Sequence, residues 1–124
     1  MLWQRYYKPN SVPEALEVLA AEGGKARLVA GATDVSVRLK RGELEVDALV
    51  DITGISDLDY LRQRGDMIEI GALTTHGQAT SSELMQRLVP VLVEACSLCG
   101  SPQIRNLGTL VGNIVNAQPC AVAT

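Results

Sequence analysis

The segment from Ser101 to Pro119 constrains the fold most, because it mixes short apolar groups with glycines and side-chain amides. Gly108 and Gly112 allow backbone N–H groups to come close to another group. Short polar side chains satisfy backbone or ligand groups in turns, and here they are Asn106, Thr109, Asn113 and Asn116. The composition indicates a half-buried segment rich in hydrogen-bonding groups. It also fits a simpler interpretation, a buried strand bracketed by two turns.

A second glycine turn occurs much earlier in the chain. The apolar run Arg27–Ala30 is typical of a buried strand, and Gly31, Ala32, Thr33 and Asp34 follow it. A strand that stops at a glycine and reopens with Thr-Asp gathers several N–H groups in one concavity, which can hold a phosphate without a basic residue. The alternative is an ordinary β-turn followed by an N-capped helix, which binds nothing.

The two segments together resemble a known family. Leu28–Asp34 is similar to the Ala-Gly-Gly-Thr-Asp-type loop that wraps the FAD pyrophosphate in the medium subunits of molybdenum hydroxylases, of the xanthine dehydrogenase and carbon monoxide dehydrogenase type. Ser101–Asn106 with Thr109–Ile114 resembles the second flavin-binding motif of the same subunits. The order and separation of the motifs also agree with the family. The resemblance implies a p-cresol methylhydroxylase-type FAD-binding fold, with an N-terminal lobe and an incomplete second lobe.

The resemblance also implies the cofactor-binding residues. Gly31 would admit the phosphate, Thr33 would donate from its hydroxyl, and Asp34 would order the loop or cap the next helix. In the second motif, Thr109 and Asn113 would supply side-chain hydrogen bonds and Gly112 a backbone contact. Both loops are expected to hold one diphosphate. The full set is Leu28, Val29, Ala30, Gly31, Ala32, Thr33, Asp34, Thr109, Gly112 and Asn113, with no catalytic residue and no metal ligand.

The implied activity is that of an oxidoreductase that works within a multi-subunit complex, so that the isolated chain is not active alone. In the family, FAD takes electrons that arise at the molybdenum cofactor of a large, molybdopterin-binding subunit. The electrons pass through two [2Fe-2S] iron–sulfur clusters of a small subunit and leave FAD for NAD+ or another acceptor. The molybdenum cofactor and the clusters are therefore expected only in partner subunits.

Charge and composition exclude several other classes of partner. The formal net charge is −3, the pI is about 5.1 and aromatic residues make up 3%. An acidic chain with few aromatics is not expected to bind nucleic acid or an anionic membrane. The sequence has no apolar run of roughly 18 residues and no signal-peptide core at its start, which predicts a cytoplasmic protein without a membrane span.

The cysteines and the single histidine are the other candidates for chemistry. Cys96, Cys99, Cys120 and His76 could be combined into a four-ligand zinc set. The Cys-x-x-Cys pair falls in an apolar helical pattern, however, which favours small buried thiols. His76 is interpreted as a structural or surface histidine, and a hydrolase built on His76 and a cysteine is a remote alternative.

Local signals predict the elements around the two motifs. A capping box at Ser11 and Glu14 begins a helix that ends at Gly23-Gly24. Ala48–Ile52 is a buried strand, and Leu58–Ile70 is a hairpin that turns at Gly65.

Further helices follow the hairpin. Ser81 or Ser82 caps one helix, and Pro90 separates it from a second helix that reaches Gly100. The second helix is expected to place its apolar residues on one side, namely Val91, Leu92, Ala95, Leu98 and Cys99. Without a regular βαβ repeat, the mixture indicates an α+β fold, divided into lobes at 1–55 and 56–124.

Two positions depart from the family pattern. Val111 stands where a glycine is usual, and Val122 where an aspartate is usual. The family also continues beyond the segment that ends here at Thr124, so the chain corresponds to about the first half of such a subunit. These features leave a second hypothesis open, a truncated, cofactor-free remnant that serves as a subunit-interaction module.

Overall fold

The computed structural model describes residues 3–31, 39–42, 45–98 and 101–116. The chain forms two compact units, Met1–Asp57 and Leu58–Thr124. That the chain forms two FAD-carrying lobes, at 1–55 and 56–124, stays a prediction.

The first unit is built on a small parallel sheet. Its strands are β1 (Arg5–Tyr7), β2 (Ala26–Val29) and β3 (Ala48–Asp51), in the order β1-β3-β2, and both pairings are parallel. Ala48, Leu49 and Val50 are buried, as a central strand covered on both faces requires. The predicted buried strand at Ala48–Ile52 is confirmed.

Helix α1 (Val12–Glu22) connects β1 to β2. Ser11 Oγ accepts from the Glu14 N–H at 3.2 Å, and the Glu14 carboxylate accepts from the Asn10 N–H at 3.0 Å, one residue earlier than in a standard capping box. Gly23 ends the helix with φ 67°, a conformation that favours glycine. The predicted helix is therefore confirmed, and a 3₁₀ turn (Gly23–Lys25) leads into β2.

Strand β2 is less buried than its apolar sequence predicts. Only Val29 is buried, in a cluster with Leu39 and Leu49, whereas Leu28 is 45% exposed. Within the described ranges β2 pairs with β3 alone, so it is an edge strand with one covered face. The predicted strand is confirmed, but the prediction that it is buried is wrong for this reason.

The second unit begins with a two-stranded hairpin. Strands β4 (Leu61–Arg64) and β5 (Met67–Ile70) pair antiparallel, and Gly65 turns the chain between them with φ 65°. The predicted hairpin is confirmed. The segment after β5 folds back on the segment before β4, since the Gly71 N–H donates to the Tyr60 carbonyl at 2.8 Å.

Five short helices complete the described part of this unit. They are α2 (His76–Ser81), α3 (Glu83–Leu88), α4 (Pro90–Ser97), α5 (Pro102–Leu107) and α6 (Leu110–Asn116). Ser82 caps α3 by accepting from the Met85 N–H at 3.3 Å. The buried cluster consists of Ala79, Met85, Cys96 and Leu110. Among the described helices, none combines the length and apolar character that crossing a membrane requires.

Helix α4 presents a different face to the core from the one predicted. Val91 is 80% exposed and Leu98 is exposed as well, whereas Cys96 is fully buried and Leu92 and Val93 pack against the same cluster. Apolar residues occur around most of this helix, so their spacing alone does not fix which side is buried. The prediction is wrong for Val91 and Leu98, and Cys99 lies outside the described residues.

Candidate functional site

The first candidate loop follows strand β2. Val29 is buried, Ala30 and Gly31 are partly buried, and Leu28 is exposed. The Ile52 N–H donates to the Val29 carbonyl at 3.0 Å, which ties the start of the loop to the chain that leaves β3. The last three predicted residues of the loop, Ala32, Thr33 and Asp34, lie outside the described residues.

Gly31 lies at the carboxyl edge of the parallel sheet. Because β1, β2 and β3 are parallel, their last residues, Tyr7, Val29 and Asp51, end at the same edge. The chain after β3 packs closely on the chain after β1, since a Cβ on Gly54 would lie 3.2 Å from the Pro9 carbonyl oxygen. Parallel sheets bind ligands at this edge. The location suits a loop that offers backbone N–H groups to a phosphate.

The carboxylate at this edge is already occupied by protein donors. Asp51 Oδ1 accepts from the Thr53 N–H at 2.9 Å and from Thr53 Oγ1 at 2.6 Å, and the Tyr6 hydroxyl donates to Oδ2. Burial acts to raise the pKa of Asp51, but these hydrogen bonds outweigh burial and hold the pKa below its ordinary value. The hydrogen bond that Tyr6 donates to Asp51 also raises the pKa of the Tyr6 hydroxyl. Asp51 is therefore a structural anion that orders the end of β3.

The second motif consists of two short helices joined by Gly108 and Thr109. Ser101 Oγ accepts from the Ile104 N–H at 3.2 Å and caps α5. Thr109 does the same for α6, since its Oγ1 accepts from the Gly112 N–H at 3.1 Å. The interpretation of this segment as a buried strand is wrong, because two hydroxyl caps start two helices here.

An isolated antiparallel bridge fixes the junction between these helices. Thr109 pairs with Thr75, the His76 N–H donates to the Gly108 carbonyl at 3.0 Å, and the Leu110 N–H donates to the Thr74 carbonyl at 3.1 Å. Gly108, Thr109 and Leu110 are buried. The start of α6 is therefore anchored at a buried point in the unit.

The two neighbouring positions Val111 and Gly112 have different requirements. Val111 is a helical residue of α6, and helical backbone angles are open to any L-residue. A Cβ on Gly112 would lie 2.7 Å from Thr109 Oγ1, so the capping hydroxyl would have to shift. Valine is thus tolerated where the family usually has glycine, whereas a side chain at 112 would press on the capping hydroxyl. Val122 lies outside the described residues.

Sequence reasoning missed Thr74 and Thr75, which support the second motif. Thr74 is buried, and its hydroxyl donates to the Tyr60 carbonyl at 2.8 Å. Thr75 and Gln78 form a capping box at the start of α2. The Gln78 N–H donates to Thr75 Oγ1 at 3.1 Å, and the Thr75 N–H donates to Gln78 Oε1 at 2.8 Å. The spacing Thr-x-x-Gln carries this signal in the sequence.

Thr75→Ala is expected to lower the free energy of unfolding of this unit by about 1 kcal/mol, because α2 loses its N-cap hydroxyl. Thr75→Ser, which keeps the hydroxyl, is the matched control and should stay close to the wild type. Urea denaturation followed by circular dichroism measures both. Equal midpoints for Thr75→Ala and Thr75→Ser would contradict the capping role.

His76 and Cys96 belong to the interior of the second unit. His76 is buried and desolvation lowers its pKa, so it is a structural histidine and the surface alternative is wrong. Cys96 lies in the buried cluster, as predicted for a small thiol. Cys99 and Cys120 lie outside the described residues. Over the described ranges, no group of three or more His, Cys, Asp or Glu side chains is placed to hold a metal ion.

The described part of both loops suits a ligand that carries phosphate. Gly112 is exposed and has no side chain of its own, so a ligand can approach the backbone of α6 beside Thr109. Thr109 uses its hydroxyl oxygen to accept from Gly112, which leaves the hydroxyl proton for a further acceptor. Gly31 similarly lacks a side chain at the carboxyl edge of the first unit. Neither loop relies on a basic side chain, in agreement with an acidic chain.

Comparison with known proteins shows to which family the chain belongs. Residues 3–123 match the model of the FAD binding domain in molybdopterin dehydrogenase. This chain belongs to that family. The resemblance drawn from the two motifs is thereby confirmed, together with the predicted cofactor, FAD.

Curated relatives of this FAD-binding domain include subunits of two dehydrogenases. The carbon monoxide dehydrogenase medium chain of Hydrogenophaga pseudoflava is 36% identical over 114 residues, which are 92% of this chain and 40% of that protein. The xanthine dehydrogenase FAD-binding subunit of Escherichia coli is 33% identical, over 94% of this chain and 40% of its own length. This chain therefore spans about two fifths of the length of these relatives.

A solved structure supports the same fold. Carbon monoxide dehydrogenase from Hydrogenophaga pseudoflava, in a form that lacks the Mo-pyranopterin moiety of the molybdenum cofactor, matches with a TM-score of 0.91 and 35% identity. The match covers 94% of this chain and 41% of that chain. The predicted α+β FAD-binding fold is confirmed.

Proposed function

We propose that this FAD-binding domain serves in the flavin subunit of a molybdenum hydroxylase, where its bound FAD passes electrons from the iron–sulfur clusters of a partner subunit to NAD+ or another acceptor. The observation that carries the proposal is the match of residues 3–123 to an FAD-binding domain, together with the two glycine loops. FAD supplies the redox chemistry when bound, and the chain supplies binding and orientation.

The first unit would contribute the Leu28–Asp34 loop to the diphosphate. Gly31 lies at the carboxyl edge of a parallel sheet, and the start of its loop is held by the bond from Ile52 to Val29. Main-chain N–H groups fixed in this way bind an anion with little reorganisation. The contributions of Ala32, Thr33 and Asp34 come from the resemblance alone and stay predictions.

The second unit would contribute Thr109, Gly112 and Asn113. The Thr109 hydroxyl would donate its proton to a ligand oxygen while it accepts from Gly112. Asn113 is partly buried on the same helix and would donate from its side-chain amide. Convergence of the two loops on a single diphosphate stays a prediction.

The proposed partners are a molybdopterin-binding large subunit and a small subunit with [2Fe-2S] iron–sulfur clusters. Support comes from the relatives, which are named as a medium chain and as an FAD-binding subunit of dehydrogenases. The description of the matched carbon monoxide dehydrogenase structure also names a molybdenum cofactor, whose Mo-pyranopterin moiety is missing in that form. On this proposal the chain works as one component of an oxidoreductase complex and is inactive alone.

Titration of the purified full gene product with FAD tests the proposal directly. Quenching of flavin fluorescence on binding, with a Kd in the micromolar range or tighter, is the expected result. A protein that folds but binds no FAD would instead fit the cofactor-free interaction module.

Gly31→Ala and Gly112→Ala are each expected to weaken FAD binding by roughly tenfold or more, about 1.4 kcal/mol, because each places a methyl group at a loop that holds the diphosphate. At Gly112 the methyl group also displaces the Thr109 cap. Gly24→Ala is the matched control, since a Cβ there meets nothing within 4 Å. If either loop variant binds FAD as tightly as Gly24→Ala, that loop does not contact the cofactor.

A further inference from the structure

The buried imidazole of His76 has an unusual environment. The residue is 2% exposed, and its Nδ1 is buried without a hydrogen-bond partner in the described part of the chain. Most buried polar atoms are paired, so an unpaired one requires a reason. The ring lies against Gly108, since a Cβ on that glycine would come 3.4 Å from His76 Cδ2 and 3.7 Å from Nε2.

This contact connects His76 to the second FAD loop. The His76 N–H donates to the Gly108 carbonyl, and the next residue, Thr109, caps α6 through Gly112. Gly108 has no side chain of its own, so the imidazole ring fills the space beside it. The ring therefore lies directly beside the residue that precedes Thr109.

Protonation would disturb this arrangement. A neutral imidazole has one donor and one acceptor, whereas the imidazolium ion has two donors. A charged ring here would be buried with at least one N–H unsatisfied, which favours any state in which the ring reaches water.

On the described helices that pack against α2, no charged side chain offsets this cost. Helices α3, α4 and α5 pack against α2, and the Gly108–Thr109 junction carries no titratable side chain. The titratable or charged side chains on those three helices are Glu83, Arg87, Glu94, Cys96 and Arg105. None of them contributes to the shift of the His76 pKa, which desolvation alone holds below its ordinary value.

We propose that His76 is a positioning residue for the second FAD loop and that its protonation releases the loop, so that the protein loses FAD in mild acid. The neutral ring holds Gly108 and Thr109 in place. The charged ring leaves its buried position and frees the junction between α5 and α6. This inference rests on the proposed function, because it concerns regulation of the same site.

The direction of the pH effect follows from linkage. His76 binds a proton less well when its ring is buried beside Gly108 (the closed form) than when the ring has left that position (the released form). The closed form is therefore fully favoured above about pH 6.5. The advantage is lost as the pH falls from there to the depressed pKa, at no more than about tenfold per pH unit for one proton. Comparison with a variant that lacks the imidazole then decides whether a one-proton transition in this range belongs to His76.

The test compares FAD affinity of the full gene product across roughly pH 8 to pH 5.5 for the wild type and His76→Phe. Phenylalanine keeps a flat ring beside Gly108 and removes both nitrogens. We expect the wild-type Kd to rise as the pH falls, by up to about tenfold per unit, and the His76→Phe Kd to stay flat. His76→Gln, which cannot titrate, replaces the phenylalanine variant if that variant does not fold.

Hydrogen exchange without FAD provides a second readout. In the wild type, amides at 108–113 should exchange faster in acid relative to those of the hairpin Leu61–Ile70, and in the variant they should not. The same pH dependence of exchange in wild type and variant would overturn the inference. So would FAD affinity that titrates equally in both. Failure of the wild type to bind FAD at the upper pH would count against the proposed function alone, and the exchange comparison would still decide the role of His76.

Discussion

Gly71→Ala is expected to destabilise the second unit by about 3 kcal/mol, because the new methyl group would overlap backbone atoms that cannot move aside. A Cβ on Gly71 would fall on the Leu58 carbonyl oxygen and lie 2.9 Å from the Tyr60 nitrogen. The same backbone segments are joined by bonds from the Gly71 N–H to the Tyr60 carbonyl and from the Leu73 N–H to the Leu58 carbonyl. Relief of the overlap would break both bonds.

Gly77→Ala is the matched control for this prediction. A Cβ on Gly77 would lie 2.8 Å from Asn106 Oδ1, the end of a side chain that can rotate away. Alanine also favours the helical conformation of α2 by about 1 kcal/mol over glycine, so the net effect should be small. Urea denaturation followed by circular dichroism should place Gly71→Ala well below the wild type and Gly77→Ala near it. Equal midpoints for the two variants would contradict the close approach at Gly71.

Met85→Ala is expected to cost about 3 kcal/mol, because it removes a fully buried side chain from the main cluster of the second unit. The cluster includes Leu110, the first residue of α6, so the cavity adjoins the helix that carries Gly112 and Asn113. We therefore expect faster hydrogen exchange in 108–113 as well as a lower denaturation midpoint.

Met67→Ala is the matched control for Met85→Ala, because it makes the same substitution outside the core. Met67 is 66% exposed on β5, and exposed substitutions usually change stability by less than about 0.5 kcal/mol. The two variants make the same chemical change at opposite extremes of burial. A similar loss of unfolding free energy in Met85→Ala and Met67→Ala would show that Met85 does not occupy the core.

Elements with local signals could be predicted from the sequence, and they are confirmed. Ser11 and Gly23 mark the two ends of α1, and Gly65 marks the hairpin turn. The helices of the second motif carried equally local signals at Ser101 and Thr109, but the glycines and amides of that segment also fitted a strand. The buried face of α4 could not be predicted, because apolar residues surround most of that helix.

The residues of the candidate site also differ in whether the sequence carries a signal for them. Gly31, Gly112 and Asn113 could be named because their motifs resemble those of a family. The pairing of Thr75 with Thr109, and the burial of His76 against Gly108, depend on contacts between residues far apart in sequence. Such contacts leave no periodicity or short motif to detect.

The bridge between Thr75 and Thr109 has a consequence for the order of folding. Four helices, α2 to α5, lie between these residues along the chain, so the bridge closes a long loop and forms only after an entropic cost has been met. A synthetic peptide of residues 101–119 would lack the partner strand segment and should not adopt the native junction. The junction at Gly108 and Thr109 is thus expected to reach its native structure late in folding, once the helices around Met85 have assembled.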